Sequence, residues 1–375
     1  MIKFWSYQRE YKKYKINIIS SIKKSLSKGN IFFGNELKTL EKSFVKKYKS
    51  KYGIAVGSGT DALLISLKAL DIKKNDEIIT AANTAIPTIA AIINSGAKPI
   101  LVDIDEDYLI DCNKIEKVIS PKTKAIIPVH LYGQACNMDK LTKIGRKYKI
   151  EIIEDCAQAQ GAKFKNKFVG TFGKFGCFSF YPTKILGAYG DGGFILTNDF
   201  NYYKKIKRIR FYGIETVDKK NKFKDEYYSN ENGLNSRLDE IQAGILNFKL
   251  KYFEKFIKRR IYLAKIYLKE LQNTSLKLPY NRKFSKHVYH LFTVYHPRKN
   301  QIVNKLYKKK IQTRVIYPYP IHKMKAYKKL KFDRKKLLKS EIKSKGIFSL
   351  PLYPELKKSE VLKICKIVKE ILEKV

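Results

Sequence analysis

Through its first two thirds the chain alternates short apolar, β-rich runs with segments of helical period, and few folds accept that order. "YGIAVGSG", from Tyr52 to Gly59, reads as a strand, and "TDALLISLKAL" as the helix behind it. "DEIIT" is a strand and "TIAAIINSG" a helix; "KPILVDI" and "TKAIIPVHLYG" are strands; "LTKIGRKYK" is a helix ahead of the strand "IEIIEDCAQ". Strands separated by helices have to cross over before they pair, so the pattern predicts a mostly parallel sheet covered on both faces. Two further β-rich runs, "GCFSFYP" and "GGFILTND", flank a glycine-rich loop.

"SRLDEIQAGILNFKLKYFEKFIKRRIYLAKIYLKEL" keeps its apolar residues three and four apart and predicts one long helical stretch. Beyond it, the strands "HLFTVYH" and "QTRVIYP" and the final helix "SEVLKICKIVKEILEKV" give an α+β pattern. The expected organisation is an α/β domain over residues 1–250 and a smaller α+β domain over 251–375, which a chain of 375 residues can build.

Several function classes recede on composition. The five cysteines (Cys112, Cys136, Cys156, Cys177 and Cys365) are scattered and form no C-x-x-C pair. That spacing argues against a disulfide framework or a zinc site and for a reduced, cytoplasmic setting. The start, "MIKFWSYQREYKKYK", lacks the apolar core of a signal peptide. The uncharged run Ile79–Ala97 contains Asn83, Pro87, Asn94 and Gly96, so it reads as a strand end, a loop and a buried helix rather than a membrane span. A net charge of +44 suggests nucleic acid at face value. Yet the lysines are spread along the whole chain with no basic arm, and Lys, Ile, Asn, Tyr and Phe share AT-rich codons. No nucleic-acid partner is expected; the positive field suits an anionic substrate such as a nucleotide diphosphate.

Three segments carry chemistry. In "VGSGTDALLISL" a strand ends in Gly57-Ser58-Gly59-Thr60 and a helix begins. Free N–H groups and the helix dipole there favour a phosphate, which Gly59 would let approach and Thr60 would bind; Thr60 could equally be the helix N-cap. In "IEIIEDCAQAQG", Asp155 ends a predicted central strand, where open α/β sheets bind ligands. Its carboxylate could pair with a cationic ring nitrogen or cap the next turn, and Gln158 could bond the same ligand. In "FSFYPTKILGAYGDGG", Lys184 follows an aromatic strand. Partial desolvation would lower its pKa and leave neutral amine for attack on a carbonyl. Gly187, Gly190, Gly192 and Gly193 would let the chain turn tightly behind it, and Ser179 offers a hydroxyl at the same strand end. A phosphate site (Gly59, Thr60, Ser179), a partner for a basic nitrogen (Asp155) and an amine for an aldehyde (Lys184) together describe pyridoxal 5'-phosphate.

With these motifs the sequence resembles the StrS-like (DegT/StrS type) nucleotide-sugar aminotransferases, fold type I pyridoxal-phosphate enzymes. The likeness spans nearly the whole chain through "GNELKTLEKSFVKKY", "GSGTDAL", "PKTKAIIPVHLYGQ", "EDCAQAQGAKFKNKFVGTFG", "FSFYPTKILGAYGDGG" and "NSRLDEIQAGIL". It implies that Lys184 holds the cofactor aldehyde and later moves the proton, that Asp155 pairs with the pyridine nitrogen, and that Gln158 meets the ring hydroxyl. It further implies that Thr60 and Ser179 hold the phosphate and that Asn235 reaches it from a second subunit, making a homodimer with shared sites. "YPYPIHKMKAY" is similar to a substrate-side segment, so Tyr317 and His322 would approach the sugar nucleotide, with a purely structural His322 as the other reading. Arg237 could meet the substrate pyrophosphate or brace the dimer, and bracing is the preferred reading.

Two departures stand out. Ala85 lies where many relatives place an aromatic ring on the cofactor, and Cys156 and Gln160 lie where they often have alanine and histidine; Gln160 is expected on an outward turn. "HLYGQ", "EDxAQAxG" and "GDGG" resemble members that act on 3-keto sugars, the alternative being a 4-keto sugar. The implied reaction moves an amino group from L-glutamate to a nucleotide-linked, dTDP-type 3-keto-6-deoxyhexose. Lys184 argues against the related dehydratases, which carry histidine there. A reading of another class is a basic regulatory or nucleic-acid-binding protein on a decayed enzyme scaffold.

Overall fold

The computed structural model describes residues 1–215, 228–328, 330 and 337–374. Seven strands form the central sheet: β1 (Tyr52–Val56), β2 (Glu77–Ala81), β3 (Lys98–Val102), β4 (Thr123–Ile127), β5 (Glu151–Asp155), β6 (Phe175–Ser179) and β7 (Gly193–Thr197). Their spatial order is β1-β7-β6-β5-β4-β2-β3. All neighbours pair in parallel except at β7, which runs antiparallel to both β1 and β6.

The strands read as nearly continuous apolar runs because helices cover both faces. On one face Ala55, Ile79, Ile126, Ile152, Phe178 and Phe194 pack against helices Tyr7–Ser27, Asn35–Tyr48 and Glu240–Leu250. On the other, Ile54, Ile78, Ile127, Ile153, Phe175 and Ile195 pack against Gly59–Ala69, Ile86–Asn94 and Phe200–Ile209. Residue-by-residue alternation between the two cores is the period-two geometry of a strand. Among the described residues, no helix is long and apolar enough to cross a membrane.

A third core gathers Leu263, Tyr267, Phe292, Val294, Phe348, Ile364 and Val368, with Ile2 and Trp5 packed on it. It surrounds the antiparallel pair Phe292–Tyr295 and Ile347–Leu350 and the helix Lys358–Leu372; Val375, the end of the predicted final helix, lies outside the described residues. Two expectations need correction here. The long helical stretch is two helices, Glu240–Leu250 and Phe253–Leu271, separated at Tyr252, whose backbone leaves the helical region (φ −101, ψ 2). "QTRVIYP" contributes a single bridge, Arg314 to Ser349, rather than a strand. Pro318, its last residue, and Pro320 just beyond lack the N–H groups that would extend a ladder, and "IFSL" takes the place beside Phe292–Tyr295.

Candidate active site

The carboxyl ends of the parallel strands meet at one end of the sheet. Asp155, the last residue of β5, is 4% exposed. One carboxylate oxygen accepts the Ala157 N–H at 3.1 Å, the other the Thr88 hydroxyl at 2.9 Å, and Thr88 lies 3.0 Å from the Thr84 hydroxyl. Burial pushes the Asp155 carboxyl up, against these hydrogen bonds and the nearby Lys184 cation.

Lys184 sits in the loop from Phe180 to Gly192 between β6 and β7, half-buried as a residue. Desolvation lowers its amine to about 8, with the Asp155 carboxylate pulling the other way. The structure therefore brings Lys184 and Asp155 into one electrostatic unit.

Gln158 joins them. Its side-chain carbonyl accepts the Tyr132 N–H at 2.9 Å, and its amide donates to the Tyr317 hydroxyl at 2.9 Å. The Tyr132 hydroxyl in turn donates to the Ile316 carbonyl at 2.5 Å, so Tyr317 is held at the site from two directions. Tyr132 was visible in the sequence only as part of "HLYGQ"; its left-handed backbone (φ 59), ahead of Gly133, aims its N–H at Gln158.

Two of the three residues expected in a phosphate cradle, Gly59 and Ser179, lie against each other. Ser58, not Thr60, is the N-cap of Gly59–Ala69: its hydroxyl accepts the Asp61 N–H at 3.0 Å, which leaves Thr60 in the first helical turn. A Cβ on Gly59 would lie 2.7 Å from the Ser179 Cβ, and one on Gly193 would strike the Ser58 carbonyl oxygen. Glycine at both positions lets the turn after β1 close onto Ser179 and the start of β7. The glycines after Lys184 have no positive φ, so tight turning is not their reason. Close approach is: a Cβ at Gly187 would strike the Pro182 carbonyl, and one at Gly192 would come within 2.9 Å of Leu238.

The segment "NSRLDEIQA" clamps these parts together. The Ser236 hydroxyl accepts the Gly57 N–H at 2.9 Å and donates to Asp61 at 2.8 Å. The buried Glu240 carboxylate accepts the N–H groups of Gly34, Glu36 and Leu37 at the start of helix Asn35–Tyr48, which its own N-cap, Gly34, leaves without a side-chain cap. Gln242 accepts the Tyr189 N–H at 2.9 Å, within the lysine loop.

Other candidates lie apart. Asn235 is exposed and accepts from the Arg237 guanidinium at 2.9 Å; among the described residues it makes no hydrogen bond to Lys184, Asp155 or Ser179. Arg237 lies over the rings of Phe32 and Phe211, at 4.3 and 5.4 Å. His322 is buried with its Nε2 2.8 Å from Glu341, the geometry of the structural reading. Ala85 is the N-cap of Ile86–Asn94 and makes no side-chain capping bond. Gln160 corrects an expectation outright: far from facing outward, it is 1% exposed.

His130, Glu154 and Cys156 cluster as metal ligands might, but His130 and Glu154 are already committed to hydrogen bonds. His130 Nδ1 accepts the Cys136 N–H at 3.0 Å, which places the proton on Nε2, 3.1 Å from Glu154. Glu154 also accepts the N–H groups of Gly170, Phe172 and Gly173. This buried network ties the loop before β6 to β5.

Known proteins share this layout. A transaminase from Aneurinibacillus thermoaerophilus, named for dTDP-3-amino-3,6-dideoxy-α-D-galactopyranose, is 39% identical over 98% of this chain and 99% of its own. DesV of S. venezuelae superposes with a TM-score of 0.94 at 33% identity, over 100% of this chain and 99% of that one. NtdA of Bacillus subtilis, solved with bound cofactor PMP, gives a TM-score of 0.87 at 30% identity, over 99% of this chain and 83% of that one. Matched from residue 13 to residue 369, the chain belongs to the DegT/DnrJ/EryC1/StrS aminotransferase family.

Proposed function

We propose that this aminotransferase uses pyridoxal 5'-phosphate to move the amino group of L-glutamate onto C3 of a nucleotide-linked, dTDP-type 3-keto-6-deoxyhexose. One observation carries the reading: a lysine amine lowered to about 8 shares a buried site with the Asp155 carboxylate, beside the amino end of helix Gly59–Ala69, where Gly59 packs closely on Ser179. The residues fit the cofactor at its aldehyde, ring nitrogen and phosphate. When bound, pyridoxal phosphate supplies the electron sink that lets an amine-bearing carbon lose its proton.

The chain's own groups do the rest. Asp155 holds the proton on the ring nitrogen. Lys184 takes the proton from the α-carbon of glutamate and in the second half-reaction returns one to C3 of the sugar. The Gln158 amide, oriented by the Tyr132 N–H, would hold the ring hydroxyl. The amino end of Gly59–Ala69, with Thr60 and Ser179, receives the phosphate. The exposed Asn235 completes the cradle of a second copy, in a homodimer with shared sites. Tyr317 lies on the sugar side; His322, already paired with Glu341, supports that side from behind.

The 3-keto position rests on the named relative and on the "GDGG" and "HLYGQ" motifs. Moving the ketone by one carbon displaces the reacting atom by about an ångström or more, a misplacement worth about a hundredfold in rate. The test runs the reaction backwards, comparing kcat/KM for dTDP-linked 3-amino and 4-amino sugars with 2-oxoglutarate. Preference for the 3-amino sugar is expected. Preference for the 4-amino sugar overturns the position, and the absence of transfer to 2-oxoglutarate overturns the donor.

A further inference from the structure

Gln160 has no part in the chemistry above, yet it makes three hydrogen bonds to the backbone of the lysine loop. Its amide nitrogen donates to the Ser179 carbonyl at 2.9 Å and the Leu186 carbonyl at 3.1 Å. Its side-chain oxygen accepts the Leu186 N–H at 2.6 Å. These partners bracket Lys184: Ser179 ends β6 and lines the phosphate cradle, and Leu186 lies two residues past the lysine. Inside the bracket, the Tyr181 N–H reaches the Ser179 hydroxyl at 3.2 Å and the Lys184 N–H reaches the Tyr181 carbonyl at 2.8 Å.

We propose that Gln160 is a positioning residue, fixing the loop from Ser179 to Leu186 so that the Lys184 amine and the Ser179 hydroxyl are held in register with Asp155. One short segment after β5 thereby carries the ring-nitrogen partner (Asp155), the ring-hydroxyl partner (Gln158) and the anchor of the lysine loop (Gln160). The residue type follows from the partners. Two carbonyls and one N–H require a side chain with both a donor group and an acceptor, and a primary amide supplies them in one plane. A carboxylate would set negative oxygen against two carbonyls, and an apolar chain would strand three buried backbone groups. The inference deepens the aminotransferase reading of the same site.

The test uses full-length wild type, Gln160→Met and Gln160→His. Methionine keeps the volume and loses every hydrogen bond; histidine keeps one donor and one acceptor. Folding is followed by urea unfolding. Lys184 is titrated in cofactor-free protein by limiting amine acylation across pH, read by mass spectrometry at that residue. Pyridoxal phosphate affinity and, with substrates, kcat and KM complete the series. In Gln160→Met the loosened loop admits water to the amine, so its midpoint should rise from about 8 toward 10.5. Cofactor affinity should fall about tenfold, and kcat about a hundredfold, with KM for the sugar little changed. Gln160→His should lie between methionine and wild type on each readout. A folded Gln160→Met with the wild-type Lys184 midpoint and cofactor affinity overturns the proposal. If Gln160→Met does not fold, Gln160→His decides, and wild-type values there overturn it. Because the amine titration needs neither cofactor nor sugar, it holds or fails independently of the transaminase reading.

Discussion

Replacing Asp155 with Asn should push two observables in opposite directions, and the structure says why. The wild-type carboxylate accepts from Ala157 N–H and from Thr88. Asparagine keeps one acceptor for the Ala157 N–H and presents NH₂ to Thr88. The Thr88 hydroxyl can accept that bond and turn its own proton to Thr84, 3.0 Å away, so the fold should lose only about 1 kcal/mol. What vanishes is the charge. Lys184 sits at about 8 with the carboxylate raising it, so without the carboxylate its midpoint must fall. At pH 7 an amine of pKa about 8 is about one-tenth neutral, roughly 300 times the neutral fraction at an ordinary 10.5. Capture of pyridoxal phosphate by Asp155→Asn at pH 7 should therefore be as fast as wild type or faster. The wild-type capture rate should climb with pH and level off above about 8, with the variant levelling earlier. Turnover moves the other way, because the ring nitrogen loses the group that keeps it protonated: a fall of at least about a hundredfold, roughly 2.7 kcal/mol in barrier. Stopped-flow absorbance gives capture, single-turnover mixing with glutamate gives the first half-reaction, and thermal unfolding checks the fold. A midpoint that stays or rises refutes the electrostatic pairing, and near-normal turnover shows that another group protonates the ring.

Three further outcomes are expected. Gly193→Ala drives a Cβ into the Ser58 carbonyl and to 2.9 Å from the Gly59 nitrogen, so urea unfolding should show a loss of about 1–3 kcal/mol and equilibrium titration a weaker hold on pyridoxal phosphate; unchanged values would mean the cradle is looser than it looks. Mixing inactive Lys184→Ala with inactive Asn235→Asp should restore activity through one intact site per heterodimer, whereas proven heterodimers without activity place Asn235 in its own chain's site. Arg260→Leu removes a fully buried guanidinium that donates to the carbonyls of Tyr289, His290 and Leu352 and lies 4.9 Å from the Trp5 ring, so chemical denaturation should reveal a loss of about 3 kcal/mol or more, and an unmoved midpoint would refute that role.

The sheet was legible because strands buried on both faces must be written largely as apolar runs; β5 (Glu151–Asp155) keeps only Ile152 and Ile153 between its carboxylates. Lys184, Asp155 and Gln158 stood out as candidates because each lies at or just past a strand end that the runs define. Strand direction was not: nothing within "GGFILTND" separates the antiparallel β7 from a parallel strand. Nor was the helix cap, since Ser58 and Thr60 are both capping residues and a shift of two decides between them. Gln160 was misread because a turn looks exposed from its own neighbours, while its partners lie 19 and 26 residues away. The strand Ile347–Leu350 was missed for a related reason: four residues carry too little pattern to outweigh a better-looking rival, "QTRVIYP".

The antiparallel strand is also what closes the site. A parallel connection from β6 would have to cross the sheet and begin its next strand at the opposite end. Running β7 backwards instead places Gly193 opposite Ser179 on one side and opposite Val56 on the other. The chain that leaves β6 therefore returns at the same end of the sheet, and the residues between, Lys184 among them, remain above the carboxyl ends of β5 and β6. The same reversal brings the Gly57-Ser58-Gly59 turn after β1 beside Ser179, more than a hundred residues on in the sequence. Parallel pairing of Asp155 with Cys177 then sets the carboxylate one strand over from the cradle. Lys184, Asp155 and the close approach of Gly59 to Ser179 thus gather at one end of the sheet, and Gln160 joins the strand end that carries the carboxylate to the loop that carries the amine.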